Sequence, residues 1–326
     1  MTRSLLILIL ACTFSFPSVA ATSLEEKNYQ LETASDQDEI QKAKRAILAR
    51  DYVTALSILE PLAESGDPVA QLNLGVMYRR GHGVEQDEDK GLWLYKLSAE
   101  QGFAGGQFNL GAVLLNSATT MVERSAAVGS FMQAAEQGHQ PSVQVLDEMF
   151  EAGLEAAQTG KYQLALRTLT PLAENGSARA QMNLGLIYLK GDGVKKDPKV
   201  AFSWYLKAAE QGIMEGQFRV GQMYQDGEGV EQNPVEALKW FLSSAKQGDT
   251  NSQVMISAAL ALGEVVKRDV WGALFWAYAA KIEGSEDADP IVQMLERALL
   301  KKIDPSKLKQ LRDLVNQCVQ KNYEDC

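Results

Sequence analysis

The sequence contains few of the residues that bind metals or catalyse reactions. Its 326 residues include only two histidines, His82 and His139, which are far apart in the chain. A histidine-based metal site or a catalytic triad needs partners at helical or loop spacing, and neither histidine has them. We therefore expect no metal, no cofactor and no catalytic centre.

Positive charge and long apolar runs are also scarce. There are 32 basic against 42 acidic residues, a net charge of −10. Binding to a phosphate backbone needs clustered lysine and arginine, so no nucleic-acid partner is expected. Beyond the first twenty-odd residues, no run approaches the ~18 continuous apolar residues of a membrane-spanning helix. Strand patterns are absent as well, and the composition and periodicity favour an all-α fold.

The N-terminal segment has the pattern of an export signal. Arg3 is followed by the apolar run Leu5–Ala11 and by the small residues Ser18–Ala20. This order predicts a signal peptide over residues 1–21 and an exported protein, periplasmic or secreted in the manner of Gram-negative bacteria. Residues 22–37 are polar and are expected to form a disordered linker.

The three cysteines lie near the two ends of the chain. Ile9–Cys12 loosely resembles a lipobox, so acylation of Cys12 is the alternative to signal cleavage. Cys318 and Cys326 would remain in the mature protein, and an even count in an exported protein suggests a disulfide. So small a loop removes only about 2–3 kcal/mol of chain entropy from the unfolded state. Two free thiols are the other possibility.

A period of 36 residues organises the chain. Glycines recur with spacings of 36, except for one of 38, at Gly66, Gly102, Gly138, Gly176, Gly212, Gly248 and Gly284. A glutamine keeps the same place in five repeats, at Gln71, Gln107, Gln181, Gln217 and Gln253. Tyr52–Gly138 also aligns without gaps to Tyr162–Gly248, at an offset of 110. Such self-similarity predicts a stacked repeat array over residues 38–284.

Each repeat is predicted to hold two helices. Ala180, Leu184 and Tyr188 lie on one helical face, and the glycines of Gly191–Gly193 can end that helix in the left-handed conformation. Asp197–Pro198 provides an N-cap and a proline for the first turn of the second helix. The repeated glutamines are expected to form hydrogen bonds between helices, because a buried amide needs partners. Beyond the array, residues 285–326 predict two capping helices.

The motif that recurs in these repeats resembles the Sel-1-like repeat family, a relative of the tetratricopeptide repeats. It reads Ala70-Gln71, Leu74-Gly75, Tyr78 and Gly81–Val84, and it returns in Ala180–Val194. The resemblance implies an α-solenoid of about seven helix-turn-helix repeats in a right-handed superhelix, with the first helices lining a concave groove. It also implies an exported scaffold or adaptor that binds a protein or peptide, in envelope regulation, assembly or host interaction, and that is not an enzyme. The oligomeric state is left open.

Candidate groove residues lie on the first helices, away from their stacking faces. They are Asn73, Arg79, Phe108, Asn109, Asn183, Lys190, Phe218 and Arg219. In related repeats, asparagines at such positions can pair with the backbone of an extended peptide, and Arg79, Lys190 and Arg219 would add positive charge on an acidic protein. The alternative is that these side chains only pack between helices or are solvated.

Cysteine-rich relatives suggest a different function, action on β-lactams or peptidoglycan. Those relatives carry a cysteine pair in each repeat, and this chain has none inside its repeats. Ser306 and Lys309 fit the serine-x-x-lysine pattern of penicillin-recognising enzymes, but the chain contains neither the Ser-Asp-Asn nor the Lys-Thr-Gly partner motif. We expect an ordinary helix start at Ser306.

The purified protein should therefore hydrolyse nitrocefin no faster than buffer does, and Ser306→Ala should leave that rate unchanged. Absorbance of the opened β-lactam is the measurement. Turnover that disappears in Ser306→Ala would establish the enzymatic alternative.

Overall fold

The structure, a computed structural model, describes residues 37–300 and 304–324. These residues form sixteen helices and no strand. The first eight helices are α1 (Gln37–Leu48), α2 (Tyr52–Glu64), α3 (Pro68–Arg80), α4 (Glu88–Glu100), α5 (Ala104–Ser117), α6 (Met121–Glu136), α7 (Gln140–Gln158) and α8 (Tyr162–Glu174). The others are α9 (Ala178–Lys190), α10 (Pro198–Glu210), α11 (Met214–Asp226), α12 (Pro234–Ala245), α13 (Thr250–Leu262), α14 (Val270–Ile282), α15 (Ala288–Leu300) and α16 (Pro305–Gln320). The all-α prediction is confirmed.

Consecutive helices pair as antiparallel hairpins. The pairs α1–α2 to α13–α14 are the seven predicted repeats, and α15 and α16 each pack on α14. The helices divide into an N-terminal unit through Ser177, with α1–α8, and a C-terminal unit from Ala178, with α9–α16. The predicted signal peptide, Cys12, Cys326 and nearly all of the predicted linker lie outside the described residues.

The turn inside a repeat has the geometry that its sequence predicts. Gly191 and Gly193 adopt φ of 80° and 71°, in the left-handed region that glycine tolerates best. The Asp197 side chain accepts hydrogen bonds from the amides of Lys199 and Val200, as an N-cap of α10. Its own amide donates to the carbonyl of Tyr188, 2.9 Å away, which ties the start of the second helix to the end of the first.

A glycine on the first helix lets an aromatic ring of the second helix pack against its backbone. A Cβ atom at Gly75 would lie 2.8 Å from the Tyr95 ring, and one at Gly185 would lie 2.6 Å from the Tyr205 ring. Both rings are almost fully buried. This close approach explains why a residue of low helix propensity lies within these helices.

The repeated glutamines join helices through buried hydrogen bonds, as predicted. Four of the five accept at Oε1 from the amide of a glutamine 30 residues later: Gln71 from Gln101, Gln107 from Gln137, Gln181 from Gln211 and Gln217 from Gln247, at 2.7–2.8 Å. Gln71 and Gln217 also donate to the carbonyl eight residues earlier, at the end of the preceding second helix. One side chain therefore connects its own repeat to the repeat before it.

The fifth glutamine, Gln253, also donates to the carbonyl eight residues earlier, at 3.1 Å, but its side-chain partners differ. Glu283 takes the place of the later glutamine and accepts from the Nε2 of Gln253. Tyr323, in the turn after α16, donates its hydroxyl to Glu283 at 2.8 Å and accepts from Gln253 at 2.7 Å. Its ring also stacks on Trp276, with centroids 5.6 Å apart. Tyr323 thus supplies a hydrogen-bond partner to the fifth glutamine position from the turn after α16.

Helices α15 and α16 cover α14 with apolar side chains. Leu295, Leu308 and Val315 are buried against α14. Cys318 is buried too, and its pairing with Cys326 stays a prediction because Cys326 is outside the described residues.

Replacing Gly221 with alanine should destabilise the C-terminal unit. The new Cβ would lie 2.7 Å from the ring of Phe241, which is 2% exposed. Helix propensity favours alanine by about 1 kcal/mol, but overpacking in a dense core costs about 1–3 kcal/mol. Urea unfolding followed by circular dichroism should show a net loss of stability.

The double variant Gly221→Ala with Phe241→Leu tests the cause. If the ring is what the new methyl group meets, the two substitutions together should cost less than the sum of their separate effects. Purely additive costs, or a more stable Gly221→Ala, would contradict this account of the hairpin.

Candidate functional site

The three first helices of the C-terminal unit present matching positions at their surface. On each helix these positions follow the i, i+4, i+7, i+11 spacing of a single helical side. They are Arg179, Asn183, Leu186 and Lys190 on α9, Glu215, Arg219, Gln222 and Asp226 on α11, and Asn251, Met255, Ala258 and Leu262 on α13. All twelve are exposed or half-buried. We call this set the first-helix face.

The α9 part of this face holds an amide, an apolar side chain and two cations, Arg179 and Lys190. Asn183 donates from Nδ2 to the carbonyl of Arg179 at 2.8 Å, which leaves its Oδ1 available to a donor. Leu186 is 40% exposed. Lys190 is exposed in the last turn, where the negative end of the helix dipole favours a cation.

The α11 part is polar, and its cation is already engaged. Arg219 pairs with Glu215 at 3.2 Å and donates to Oε1 of Gln222 at 3.3 Å. Phe218 is half-buried behind it and packs on Phe241, with ring centroids 5.8 Å apart. An exposed i,i+4 pair contributes only about 0.3–0.5 kcal/mol, so a partner could displace Glu215 at little cost.

The α13 part carries no charge. Met255 is half-buried, whereas Leu262 is 66% exposed beside Gly263, the left-handed residue that ends the helix. The face therefore changes from cationic at α9 to uncharged at α13.

In the N-terminal unit, three predicted groove residues are buried, and the prediction for them is corrected. Phe108 is 0% exposed, because its ring packs 5.5 Å from Phe131 and 5.1 Å from His139 between helices. Asn73 and Asn109 are 5% and 1% exposed, and Asn73 donates to the carbonyl of Val69. Buried side chains offer no surface to a partner in this structure.

The remaining predicted residues are closer to solvent. Arg79 is half-buried, its guanidinium lies 5.9 Å from the centre of the Tyr95 ring, and its aliphatic part packs against Gly91. Of the predicted set, Asn183, Lys190 and Arg219 lie together on the first-helix face. Sequence reasoning missed Leu186, Gln222 and Leu262, although continuing the helical register of the asparagine row would have found them.

The two histidines have structural roles in the described part of the chain. His139 caps α7, since its Nδ1 accepts from the amide of Ser142 at 3.3 Å, and burial lowers its pKa below the ordinary value. His82 stacks on Tyr52 with ring centroids 4.8 Å apart, and burial, together with Arg80 and Arg50, lowers its pKa.

The described residues also bear on metal binding, on the role of Ser306 and on membrane crossing. Within the described ranges, no three His, Cys, Asp or Glu side chains are grouped to hold a metal ion. Ser306 lies in the first turn of α16, and its amide donates to Oδ1 of Asp304 at 2.9 Å, as expected of a helix start. A search of the described helices finds none long and apolar enough to cross a bilayer.

The hairpins, their glycine–aromatic contacts and their glutamine bonds define a helical-repeat protein. The Sel1 repeat model matches residues 68–103, 178–213 and 215–249, which correspond to α3–α4, α9–α10 and α11–α12. The chain therefore contains Sel1 repeats at these three positions, and the resemblance inferred from its motifs is confirmed.

Curated relatives share these repeats over part of their length. A sel1-like repeat-containing protein, L21, of Acanthamoeba polyphaga mimivirus is 30% identical over 43% of this chain. Chitin synthase regulatory factor 3 of Schizosaccharomyces pombe is 30% identical over 39%, and mouse DAP3-binding cell death enhancer 1 is 29% identical over 49%. The chain spans only 25%, 14% and 31% of these proteins respectively.

Two solved structures also resemble the chain. The Escherichia coli protein c5321, described as a protective antigen of uropathogenic strains with an SLR fold, is 27% identical with a TM-score of 0.43. The match covers 93% of this chain and 61% of c5321. A Sel1 repeat protein of Oxalobacter formigenes is 29% identical with a TM-score of 0.37, over 76% of this chain and 99% of that one.

Acidification should destabilise the N-terminal unit through His139. Folding favours the neutral form of the His139 imidazole. The stability that this residue contributes is therefore fully present above the ordinary histidine pKa of about 6.5. As the pH falls through that value, the unfolded chain gains a proton that the folded chain resists, and stability is lost.

Denaturant unfolding at about pH 7.5 and 5.5 measures this loss. His139→Asn keeps a side-chain acceptor for the Ser142 amide without titrating, so the variant should lose less stability than the natural protein between the two values. Equal losses would exclude His139 as the source.

Proposed function

We propose that this chain is an exported protein–protein interaction scaffold, and that its first-helix face binds a segment of another protein. Sel1-repeat proteins are generally interaction scaffolds. The observation that carries the proposal for this chain is the first-helix face itself. Three helices in register leave twelve side chains accessible, while Tyr205, Phe241 and Tyr278 of the second helices are buried. The accessible residues of this face are suited to non-covalent contacts with a partner.

The names of two relatives agree with such a role. DAP3-binding cell death enhancer 1 is named for binding a protein, and chitin synthase regulatory factor 3 for regulation. Because this chain covers less than a third of either protein, their partners are not transferred to it.

Export rests on the N-terminal sequence. Arg3, the apolar run Leu5–Ala11 and the small residues Ser18–Ala20 have the order of a cleavable signal, so we place the mature protein in the periplasm or outside the cell. There the scaffold would present a face whose shape exists before the partner arrives. The glutamine bonds and glycine–aromatic contacts hold the hairpins rigid, which lowers the entropy lost on binding.

A photo-crosslinking amino acid at Leu186 or Gln222, in the cells that make the protein, should give one discrete adduct with another protein. Both positions lie on the first-helix face. Mass spectrometry of the adduct identifies the partner, and loss of the adduct on adding excess purified, unlabelled protein shows that the contact is saturable.

Ser203 and Ser243 are matched controls, because both are exposed on second helices of the same unit. The crosslinker at these positions should give no such adduct. Equal adducts from first and second helices, or none from the first, would remove the first-helix face as the binding surface.

A further inference from the structure

We propose that the first-helix face selects a polarised, extended segment, with a carboxylate against α9 and an aliphatic side chain against α13. This inference rests on the proposed function and specifies the chemistry of the partner. It is carried by the order of side chains across the three helices.

The cationic end of the face is at Lys190. This side chain is exposed and has no ion pair or hydrogen bond among the described residues. Arg219, by contrast, is paired with Glu215, and Asp226 occupies the position of Lys190 on the next helix. An acidic group of a partner therefore meets its best opposite charge at α9 and repulsion at the ends of α11.

The apolar end is at Leu262. Its 66% exposure leaves most of an aliphatic side chain in water, and Met255 and Ala258 continue the same uncharged stripe on α13. The hydrophobic effect favours covering such a surface with an apolar group. Because α13 has no charged residue at any of its four face positions, nothing there would hold a carboxylate.

The distance between the two ends sets the length of the segment. Directly packed helices lie about 8–10 Å apart, so the two steps from α9 to α13 cover at least about 20 Å. An extended chain advances about 3.3 Å per residue, so the segment needs at least about six residues. Asn183 on α9 and Gln222, one turn before Asp226 on α11, provide amide groups that can pair with an extended backbone.

Charge distribution favours this unit over the other for an acidic segment. From residue 178 onward the sequence carries 19 basic and 20 acidic residues, whereas through residue 177 it carries 13 and 22. A negatively charged segment is therefore repelled by the N-terminal unit and meets a nearly neutral C-terminal unit.

The test is selection of a random twelve-residue peptide library on the full-length protein. We expect enriched peptides to carry Asp or Glu at least about five positions from Leu, Ile, Val or Met. Binding of one enriched peptide, measured by fluorescence anisotropy, should weaken by about tenfold or more in Lys190→Glu and by about fivefold in Leu262→Ser. Circular dichroism melting confirms that each variant is folded.

Two matched variants and one charge swap complete the design. Lys246→Glu makes the same charge change on another exposed surface, and Leu314→Ser removes a leucine that is 50% exposed on α16; both should change affinity by less than about twofold. Replacing the acid of the peptide with lysine should restore binding to Lys190→Glu and abolish binding to the natural protein.

The inference is overturned if no peptide is enriched, if enriched peptides lack the acid–aliphatic pair, or if Lys190→Glu binds as well as the natural protein. Crosslinked adducts from Leu186 and Gln222 would in that case still support the proposed function, so the two can fail separately. Loss of both peptide binding and adducts would reject both.

Discussion

The buried glutamine amide is the constraint on which the stacking of this chain depends. In a core, an amide must find both a donor and an acceptor, and an unmet group costs about 1–3 kcal/mol. Gln71 and Gln217 meet this need only when the preceding second helix, their own helix and a glutamine 30 residues later all lie in place. The angle between neighbouring repeats is thereby set by a polar bond that tolerates little error, and the apolar contacts pack around it.

Much of this arrangement could be predicted because the signals are periodic. The spacing of 36 fixes the repeats, and Asp197 and Gly191 have the local chemistry that begins and ends helices, so seven helix pairs followed from the sequence. The same periodicity identified the glutamines as inter-helix partners. A periodic pattern predicts these features because each repeat has the same local geometry.

The candidate site was less predictable, because equal register does not mean equal exposure. Asn109 and Asn183 occupy corresponding positions, yet one is 1% exposed and the other is half-buried. Phe108 likewise packs into the interior between Phe131 and His139, two residues whose positions depend on how neighbouring hairpins meet. Sequence spacing predicts which face of a helix a residue lies on, but it does not predict whether a neighbouring hairpin buries that face. For the same reason Leu262 escaped notice, since its exposure depends on how α13 ends at Gly263.

Glu283 changes the glutamine pairing just after α14. At the other glutamine positions the later residue offers an NH₂ group, which donates to the earlier glutamine. The carboxylate in that place accepts instead, from Gln253 and from the hydroxyl of Tyr323. Evolution could lengthen this protein by duplicating an internal hairpin, as the internal copy at an offset of 110 indicates. A hairpin inserted directly after α14 would have to displace Tyr323, whose ring stacks on Trp276 and whose hydroxyl bonds both Gln253 and Glu283.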